Sequence, residues 1–430
     1  MGRPRSLSGG APAWDRHRDV MPPLRRNRDF VLLQGGQLLS SAGSQTTTIA
    51  YPLVVLTTTH SAAAAGLVGF ARLVPSALLT LPAGVAADRV DRRGLMIGSD
   101  VLRGIALGAL AAALIAGTPP LWAILVVAVV EGVGISVFGV AENGALRAVV
   151  PPEQLADATG VLIGRRSVVF LLGPPLGGLL FGLGHAVPFA VDAATYAAST
   201  VSLLAMRTPF QETREHDRAR MRAQLAEGLR FLWRQPFLRT TSAIYGIGNF
   251  MVPAVVLTLV VSAHDQGLSG GRTGVLVAAI GAATLVGSLV APLVRRRLPA
   301  RPILLLELWS WLGLWVYVAH PDAYVLAAML VPFGVCASIT DSVVLTLRVA
   351  LTPDRLLGRV TSAATTLALA IAPLGPLAAG SLISAASARA TVAAIAAMGL
   401  GLAVWGTLSP AVRTAPALAG LGRDATERRD

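Results

Sequence analysis

Long apolar segments recur along the whole chain, and short polar segments separate them. An α-helix needs about 20 mainly apolar residues to cross the hydrocarbon core of a bilayer. The pattern predicts twelve membrane-spanning helices, numbered here as spans 1 to 12, at residues 30–56, 62–83, 95–117, 121–141, 158–182, 186–206, 240–262, 272–294, 302–319, 323–346, 360–384 and 389–408. We therefore predict an all-α integral membrane protein.

The segments outside these spans are polar. Residues 1–29 and 409–430, which are rich in Arg, Pro, Ser and Gly, are predicted to be disordered tails. Residues 207–239 join two six-span halves, at 30–206 and 240–408. Within this linker, apolar residues recur every three or four positions, which predicts a short amphipathic helix at the membrane surface: Met221, Leu225, Leu229 and Leu232.

Composition supports a membrane protein and excludes some kinds of site. The chain has 430 residues, of which 54% are hydrophobic and 14% charged, whereas a soluble protein carries about 25% charged residues. The single cysteine, Cys336, excludes a disulfide framework and a cysteine-rich metal site. The six histidines lack metal-ligand spacing. We expect no metal and no cofactor.

The net charge of +13 indicates topology rather than nucleic-acid binding. All 36 basic residues are arginine, and nearly all lie in the two tails, in the gaps after even-numbered spans or at the span ends beside them. Only Arg272 and Arg389 lie beside odd-numbered gaps, as the first residues of spans 8 and 12. The positive-inside rule then places both termini and the even-numbered gaps in the cytoplasm. The absence of lysine and the abundance of Ala, Gly and Arg indicate a GC-rich bacterial genome, so we expect the membrane to be the bacterial inner membrane.

The two halves carry an internal repeat. The segment "LRAVVPPEQLADATG" at 146–160 aligns without a gap with "LRVALTPDRLLGRVT" at 347–361. A few residues later, "GPPLGG" at 173–178 aligns with "GPLAAG" at 375–380. Both copies follow the fourth span of their half. The chain therefore contains a parallel duplication of a six-helix unit.

The polar segment after span 2, "GVAADRVDRR" at 84–93, completes this picture. It matches the pattern G-x-x-x-D-[RK]-x-G-[RK]-[RK] at five positions, with Asp91 where the pattern has glycine: Gly84, Asp88, Arg89, Arg92 and Arg93. With the topology and the duplication, the chain resembles the major facilitator superfamily, in its bacterial drug and siderophore efflux branch, over about 28–410. The resemblance implies a secondary transporter whose gating loop lies here, although ordinary topological charge is an alternative interpretation.

Span 5 carries a second motif of this superfamily. Gly173, Pro174, Gly177 and Gly178 match the G-P-x-x-G-G core typical of exporters, with Val169 where the wider motif has another glycine. Small residues and proline allow close helix approach and bending. The match favours export, while a generic packing interface remains the alternative. In span 4, Glu131-Gly132 aligns with the Q-G of a proton-coupling motif, and Ala128 replaces its arginine.

Ionisable residues inside the spans are costly and call for a partner or a function. Glu131 in span 4 and Asp341 in span 10 are the candidates for proton coupling, because buried carboxylates can take up and release protons. For Glu131, a fixed ion pair with an arginine of span 2 or 3 is the alternative. Asp100 and Arg103 are predicted to pair along one helix face. Asp192, near the start of span 6, is expected to be solvated at the interface.

Span 1 contains a polar stripe on an otherwise apolar helix. Its residues recur at spacings of three or four: Gln34, Gln37, Ser41, Gln45 and Thr48. In lipid such a stripe must face protein or water. Spans 1, 4, 7 and 10 line the central cavity in the superfamily, so we assign the stripe to the substrate cavity, with Asn249 in span 7 as a lesser candidate. Helix–helix hydrogen bonding is the alternative.

These features predict a secondary transporter that exports an amphipathic small molecule, such as a drug, antibiotic or siderophore, by alternating access and proton antiport. An importer or facilitator of a small metabolite is the alternative. The motifs H-E-x-x-H and G-x-x-x-x-G-K-[ST] are absent, so we expect neither an enzyme nor direct use of ATP. We expect a monomer in the lipid bilayer, with a small-molecule substrate and protons as partners and no nucleic acid.

Overall fold

The computed structural model describes residues 23–208, 210 and 218–415, without the side chains of 80–89, 143 and 218–225. The predicted disordered tails therefore fall largely outside the described residues. The same holds for the side chains of three gating-loop residues, Gly84, Asp88 and Arg89. Throughout the described part, the chain is almost entirely helical and contains no strand.

The helices follow one another along the chain with short connections. The first half contains α1 to α6, and α7 lies in the linker: Arg28–Thr59, Ala62–Arg89, Arg92–Ala116, Leu121–Val149, Leu155–Leu183, Val187–Ala205 and Arg218–Arg234. The second half contains α8 to α16: Pro236–Asp265, Gly270–Arg297, Ala300–Ser310, Leu314–Ala319, Ala323–Leu351, Asp354–Ala370, Leu374–Ala385, Ala388–Leu408 and Pro410–Arg413.

The helices reproduce the predicted spans with two interruptions. Span 9 consists of α10 and α11, joined by the 3₁₀ turn Trp311–Gly313. Span 11 consists of α13 and α14. The break between them contains Pro373, and Pro376 follows in the first turn of α14; neither proline has the N–H donor that a continuous helix needs. Eleven described helical segments are long and apolar enough to cross a membrane. The remaining predicted span, α1, has 32 residues, but its polar stripe lowers its mean hydropathy.

Asp91, the departure from the gating-loop pattern, has a local structural role. Its carboxylate accepts hydrogen bonds from the backbone N–H groups of Arg93, at 3.3 Å, and Gly94, at 2.8 Å. Asp91 is thus the N-cap of α3, where a side-chain acceptor satisfies otherwise unpaired N–H groups. α3 therefore begins directly after the loop, at Arg92, although the loop has Asp91 in place of the glycine of the pattern.

The two halves share a hydrophobic core at one end only. There, Val54 of α1 and Phe189 of α6 belong to the same buried cluster as Val255 and Leu259 of α8 and Trp311. At the opposite end, each half has a separate cluster of its own. The molecule is therefore closed between its halves at the end formed by the odd-numbered gaps. We call this the closed end.

The linker helix α7 packs on the second half. A Cβ atom added at Gly228 would overlap the backbone carbonyl oxygen of Arg359 in α13, and Glu227 forms an ion pair with Arg359. Leu232 is buried in the core of the second half, while Leu229 stays partly exposed. The predicted helix is present, and Leu232 of its apolar face packs on protein. The side chains of Met221 and Leu225 lie outside the described residues.

Candidate transport site and gate

Two adjoining cavities lie along α1 and α2. The first, the apolar chamber, has a volume of about 300 Å³ and is lined by both halves near the closed end. Its wall is mainly aliphatic and includes Val68, Leu73, Val252, Val256 and Ile280. Apolar walls with few polar groups are typical of small-molecule sites. This chamber can therefore hold the apolar body of a ligand.

The second cavity, the polar chamber, has a volume of about 410 Å³ and is lined by the first half. Gln45, Arg72 and Phe170 line both cavities, so the two chambers adjoin at these residues. An amphipathic molecule can thus place one part in each chamber.

The residues of the polar stripe of span 1 are divided among the polar chamber, the apolar chamber and the protein interior. Gln37, Ser41 and Gln45 line the polar chamber, and Gln45 and Thr48 line the apolar chamber. Gln34 is buried in protein and lines neither chamber. Gln37 also donates a hydrogen bond of 3.1 Å to Ser199 of α6, so the stripe combines helix packing with cavity lining.

An ion pair stands where the chambers adjoin. Nη2 of Arg72 lies 2.7 Å from Oε1 of Glu131, and its Nη1 donates a hydrogen bond of 2.9 Å to Thr48. Glu131 is fully buried, whereas Arg72 lines both chambers. The guanidinium therefore separates the carboxylate from the cavities. Since removing one partner leaves an unpaired buried charge, the state of this pair affects the whole site.

Asp192 lies beside this ion pair. The hydroxyl oxygen of Thr47 is 3.0 Å from Oδ2 of Asp192 and 3.5 Å from Oε1 of Glu131. Asp192 is fully buried, so the expectation that it is solvated at the interface is wrong. The physical reason is packing against α1 at Gly43, where an added Cβ atom would overlap the carboxylate. In the described part of the chain, no basic side chain forms an ion pair with Asp192.

The predicted pair of Asp100 and Arg103 is confirmed. The two side chains form a buried ion pair on α3, and Nη1 of Arg103 donates a hydrogen bond of 3.1 Å to the hydroxyl of Tyr196. That hydroxyl lies 2.8 Å from Oγ of Ser44. The pair thus fastens α3 to α6 and α1.

Replacing Arg103 with glutamine is expected to lower the free energy of unfolding by about 3–5 kcal/mol, because Asp100 remains as an unpaired buried charge. Thermal unfolding of the purified protein in detergent measures this. The double variant Asp100→Asn/Arg103→Gln should recover part of the loss. Equal unfolding temperatures for wild type and the single variant would contradict a structural role for the pair.

The described arginines of the gating loop bind the backbone near the end of α6. Arg92 Nη1 donates a hydrogen bond of 3.2 Å to the carbonyl oxygen of Phe210, and Arg93 Nη2 donates one of 2.7 Å to that of Leu204. Neither bond reaches the second half. They fix the position of the loop at the end opposite to the closed one.

The span 5 motif lies in the seam between the halves. Gly173 and Gly177 face α1, where added Cβ atoms would overlap Gln45 and the carbonyl oxygen of Thr46. Gly178 faces α9 of the other half, and a Cβ atom there would overlap the carbonyl oxygen of Gly270. Pro174 follows the same pattern, since its carbonyl oxygen faces Gly274 of α9. The motif therefore permits close backbone contact between the halves.

The remaining candidates lie in the second half. Asn249 and Asp341 line a cavity of about 230 Å³ together with Tyr245 and Arg348. They line neither the apolar nor the polar chamber, so the structure separates Asn249 from the stripe of span 1. The side-chain nitrogen of Asn249 donates a hydrogen bond of 2.8 Å to the carbonyl oxygen of Tyr245 in its own helix.

Comparisons with known proteins agree with this architecture. Residues 35–309 match the model of the Major Facilitator Superfamily. The chain is 29% identical to Multidrug efflux pump Tap of Mycobacterium tuberculosis over 84% of this chain and 88% of that protein, and 29% identical to its namesake from Mycolicibacterium fortuitum over 89% and 96%. Macrolide efflux protein A of Streptococcus pyogenes is 25% identical over 41% of this chain and 44% of that protein.

Solved structures share the fold. A bacterial homologue of the human lysosomal transporter Spinster, in an inward-facing and unoccupied conformation, aligns with a TM-score of 0.71 at 16% identity, over 91% of this chain and 98% of that chain. The nucleoside transporter NupG aligns with a TM-score of 0.68 at 13% identity, over 87% and 97%. At these identities the likeness extends to the fold alone.

Proposed function

Because the chain belongs to the Major Facilitator Superfamily, a family of membrane transporters rather than enzymes, we propose that it exports an amphipathic small molecule in exchange for protons. The cargo class is a drug, antibiotic or siderophore, and the membrane is the bacterial inner membrane. The observation that carries this proposal is the pair of adjoining chambers with the Arg72–Glu131 ion pair between them.

Alternating access follows from the arrangement of the halves. The arginine distribution assigns the odd-numbered gaps, and hence the closed end, to the outside of the cell. The structure then represents the state that is open to the cytoplasm, from which an exporter collects its cargo. Closing the cytoplasmic end would bring the gating loop, with Asp88, Arg89, Arg92 and Arg93, to the second half. Both termini lie in the cytoplasm in this arrangement, and one chain is sufficient for transport.

Proton exchange centres on Glu131. A proton on this carboxylate would weaken its attraction to Arg72, which also lines the cargo chambers, so the protonation state of Glu131 and the occupancy of the chambers would be linked through one side chain. Thr47 lies between Glu131 and Asp192 and can pass a proton between them by donating from its hydroxyl while accepting at the same oxygen. Asp341 remains a second candidate in the cavity of the second half.

Two observations favour export over import. The span 5 motif, which resembles that of exporters, occupies the seam between the halves, and the relatives that cover most of the chain are named multidrug efflux pumps. Import or facilitated passage of a metabolite is the competing function, since rocking of two halves serves either direction.

Everted membrane vesicles test the direction of transport. With an acidic interior, vesicles that contain this protein should accumulate an amphipathic compound from a panel of anionic, neutral and cationic probes, because their interior corresponds to the outside of the cell. Right-side-out vesicles from the same cells, with an alkaline interior as in the cell, are the control and should not accumulate it. Accumulation only in the right-side-out vesicles would establish import instead.

A further inference from the structure

The polar chamber carries an imbalance of charge. Its lining contains four arginines, Arg72, Arg103, Arg165 and Arg166, and a single carboxylate, that of Glu142. Two of the arginines have their charge neutralised by buried carboxylates that do not line the chamber: Arg72 pairs with Glu131, and Arg103 pairs with Asp100. The chamber's remaining charge therefore depends on the other two arginines.

Arg165 and Arg166 share the one remaining carboxylate. Nη2 of Arg165 lies 2.6 Å from Oε1 of Glu142, and Nη2 of Arg166 lies 3.6 Å from Oε2. The side chain of Arg166 is 58% exposed, while that of Arg165 is 6% exposed. Two positive charges thus face one negative charge, which leaves a surplus of one positive charge on the accessible arginine.

The group formed by Arg165, Arg166 and Glu142 also has more hydrogen-bond donors than acceptors. Nε and Nη1 of Arg165 are buried and make no hydrogen bond within the part of the chain that the structure describes. Buried donors without acceptors cost free energy. Gln37, Ser41 and Gln45 on α1 line the same chamber and add further polar groups. The wall is suited to a ligand that brings acceptor oxygens and negative charge.

We propose that the polar chamber binds a negatively charged group of the cargo, with Arg166 as the contacting residue and Arg165 behind it. The proposal rests on the proposed transport function and narrows its cargo to amphipathic anions, such as compounds with a carboxylate, while it disfavours permanent cations. A cleft of one charge sign between low-dielectric walls concentrates ligands of the opposite sign. Arginine binds carboxylates through paired hydrogen bonds.

The position of these arginines separates them from topological charge. In the sequence they lie near the cytoplasmic end of span 5, where the positive-inside rule accounts for arginines. In the structure they lie about ten residues inside α5, which begins at Leu155, and they line a cavity. An arginine needed only for topology has no reason to lie there.

The test uses purified protein in proteoliposomes and two dyes that share a xanthene skeleton, the anion fluorescein and the cation rhodamine 123. Accumulated dye is measured after lysis at fixed pH. Wild type should transport fluorescein with a KM at least about tenfold lower than that for rhodamine 123. Arg166→Gln should raise the KM for fluorescein about tenfold, the size of one charge-assisted hydrogen bond. Arg166→Lys, which keeps the charge but loses the paired hydrogen bonds, should raise this KM by less.

The control variant is Arg272→Gln, at an exposed position of α9 at the closed end, which should leave both KM values unchanged. If rhodamine 123 is transported and Arg166→Gln does not alter the KM for fluorescein, the inference is overturned while export stands. If fluorescein neither binds the purified protein by fluorescence anisotropy nor accumulates, the inference is also wrong. The vesicle experiment above judges export independently of either result.

Discussion

Replacing Gly178 with valine is expected to reduce transport by at least about tenfold, because the halves can no longer close at the end described here. A Cβ atom at this position overlaps the carbonyl oxygen of Gly270, which belongs to the backbone of α9 in the opposite half. A backbone atom cannot move aside as a side chain can. Overpacking of this kind costs about 1–3 kcal/mol or more, enough to depopulate one state of a transporter that must alternate between two.

Spin-label distances measure that shift in population. Labels at Leu183→Cys on α5 and Val275→Cys on α9, in a Cys336→Ser background, occupy exposed positions near the seam. Gly178→Val should both lengthen the distance between the two labels and slow transport. The control is Gly182→Val on the same helix, where nothing lies within 4 Å of an added Cβ atom. An unchanged distance with Gly178→Val would show that the contact does not hold the closed end.

The second large effect is expected for Glu131→Gln, which removes the buried negative charge beside Arg72. Accumulation driven by a proton gradient should fall by at least about tenfold, a change of about 1.4 kcal/mol. Binding of cargo should persist, because Glu131 is fully buried and lines neither chamber. Uptake into everted vesicles, compared with equilibrium binding to the purified protein, separates these two effects.

Stability could confound this result, since the variant leaves Arg72 without its partner. The double variant Arg72→Gln/Glu131→Gln removes both charges and keeps a hydrogen-bonding pair. If the double variant is stable but still fails to accumulate cargo against a gradient, the carboxylate is required for coupling. If it restores accumulation, the ion pair has a structural role and proton coupling lies elsewhere, with Asp341 as the next candidate.

Several features of the fold were predictable because they depend on local or repeated patterns. Apolar length predicts the spans, the aligned segments predict two equivalent halves, and a three-residue spacing on one helix predicts the pair of Asp100 and Arg103. The span 5 motif predicts a close approach of helices, and the structure identifies the facing helices as α1 and α9. Each of these depends on residues close in sequence or on a repeated unit.

The depth of a polar residue was not predictable, because it depends on which helix packs against it. Asp192 looks like an interfacial residue from its place near the start of span 6, yet Gly43 of α1 makes room for it in the interior. Arg165 and Arg166 look like topological charge and line a chamber instead. Gln34 and Asn249 were assigned to the substrate cavity, but they line neither the apolar nor the polar chamber. Helical spacing alone cannot distinguish a residue that lines a cavity from one that contacts a neighbouring helix.

The most direct test of the account is proton movement coupled to cargo. Purified protein is placed in proteoliposomes with an acidic interior and a trapped fluorescent pH probe, and a compound that everted vesicles accumulate is added outside. The account predicts that the compound raises the internal pH with wild type and has no such effect with Glu131→Gln. Accumulation of the compound by wild type without any change in internal pH would contradict proton exchange as the driving reaction.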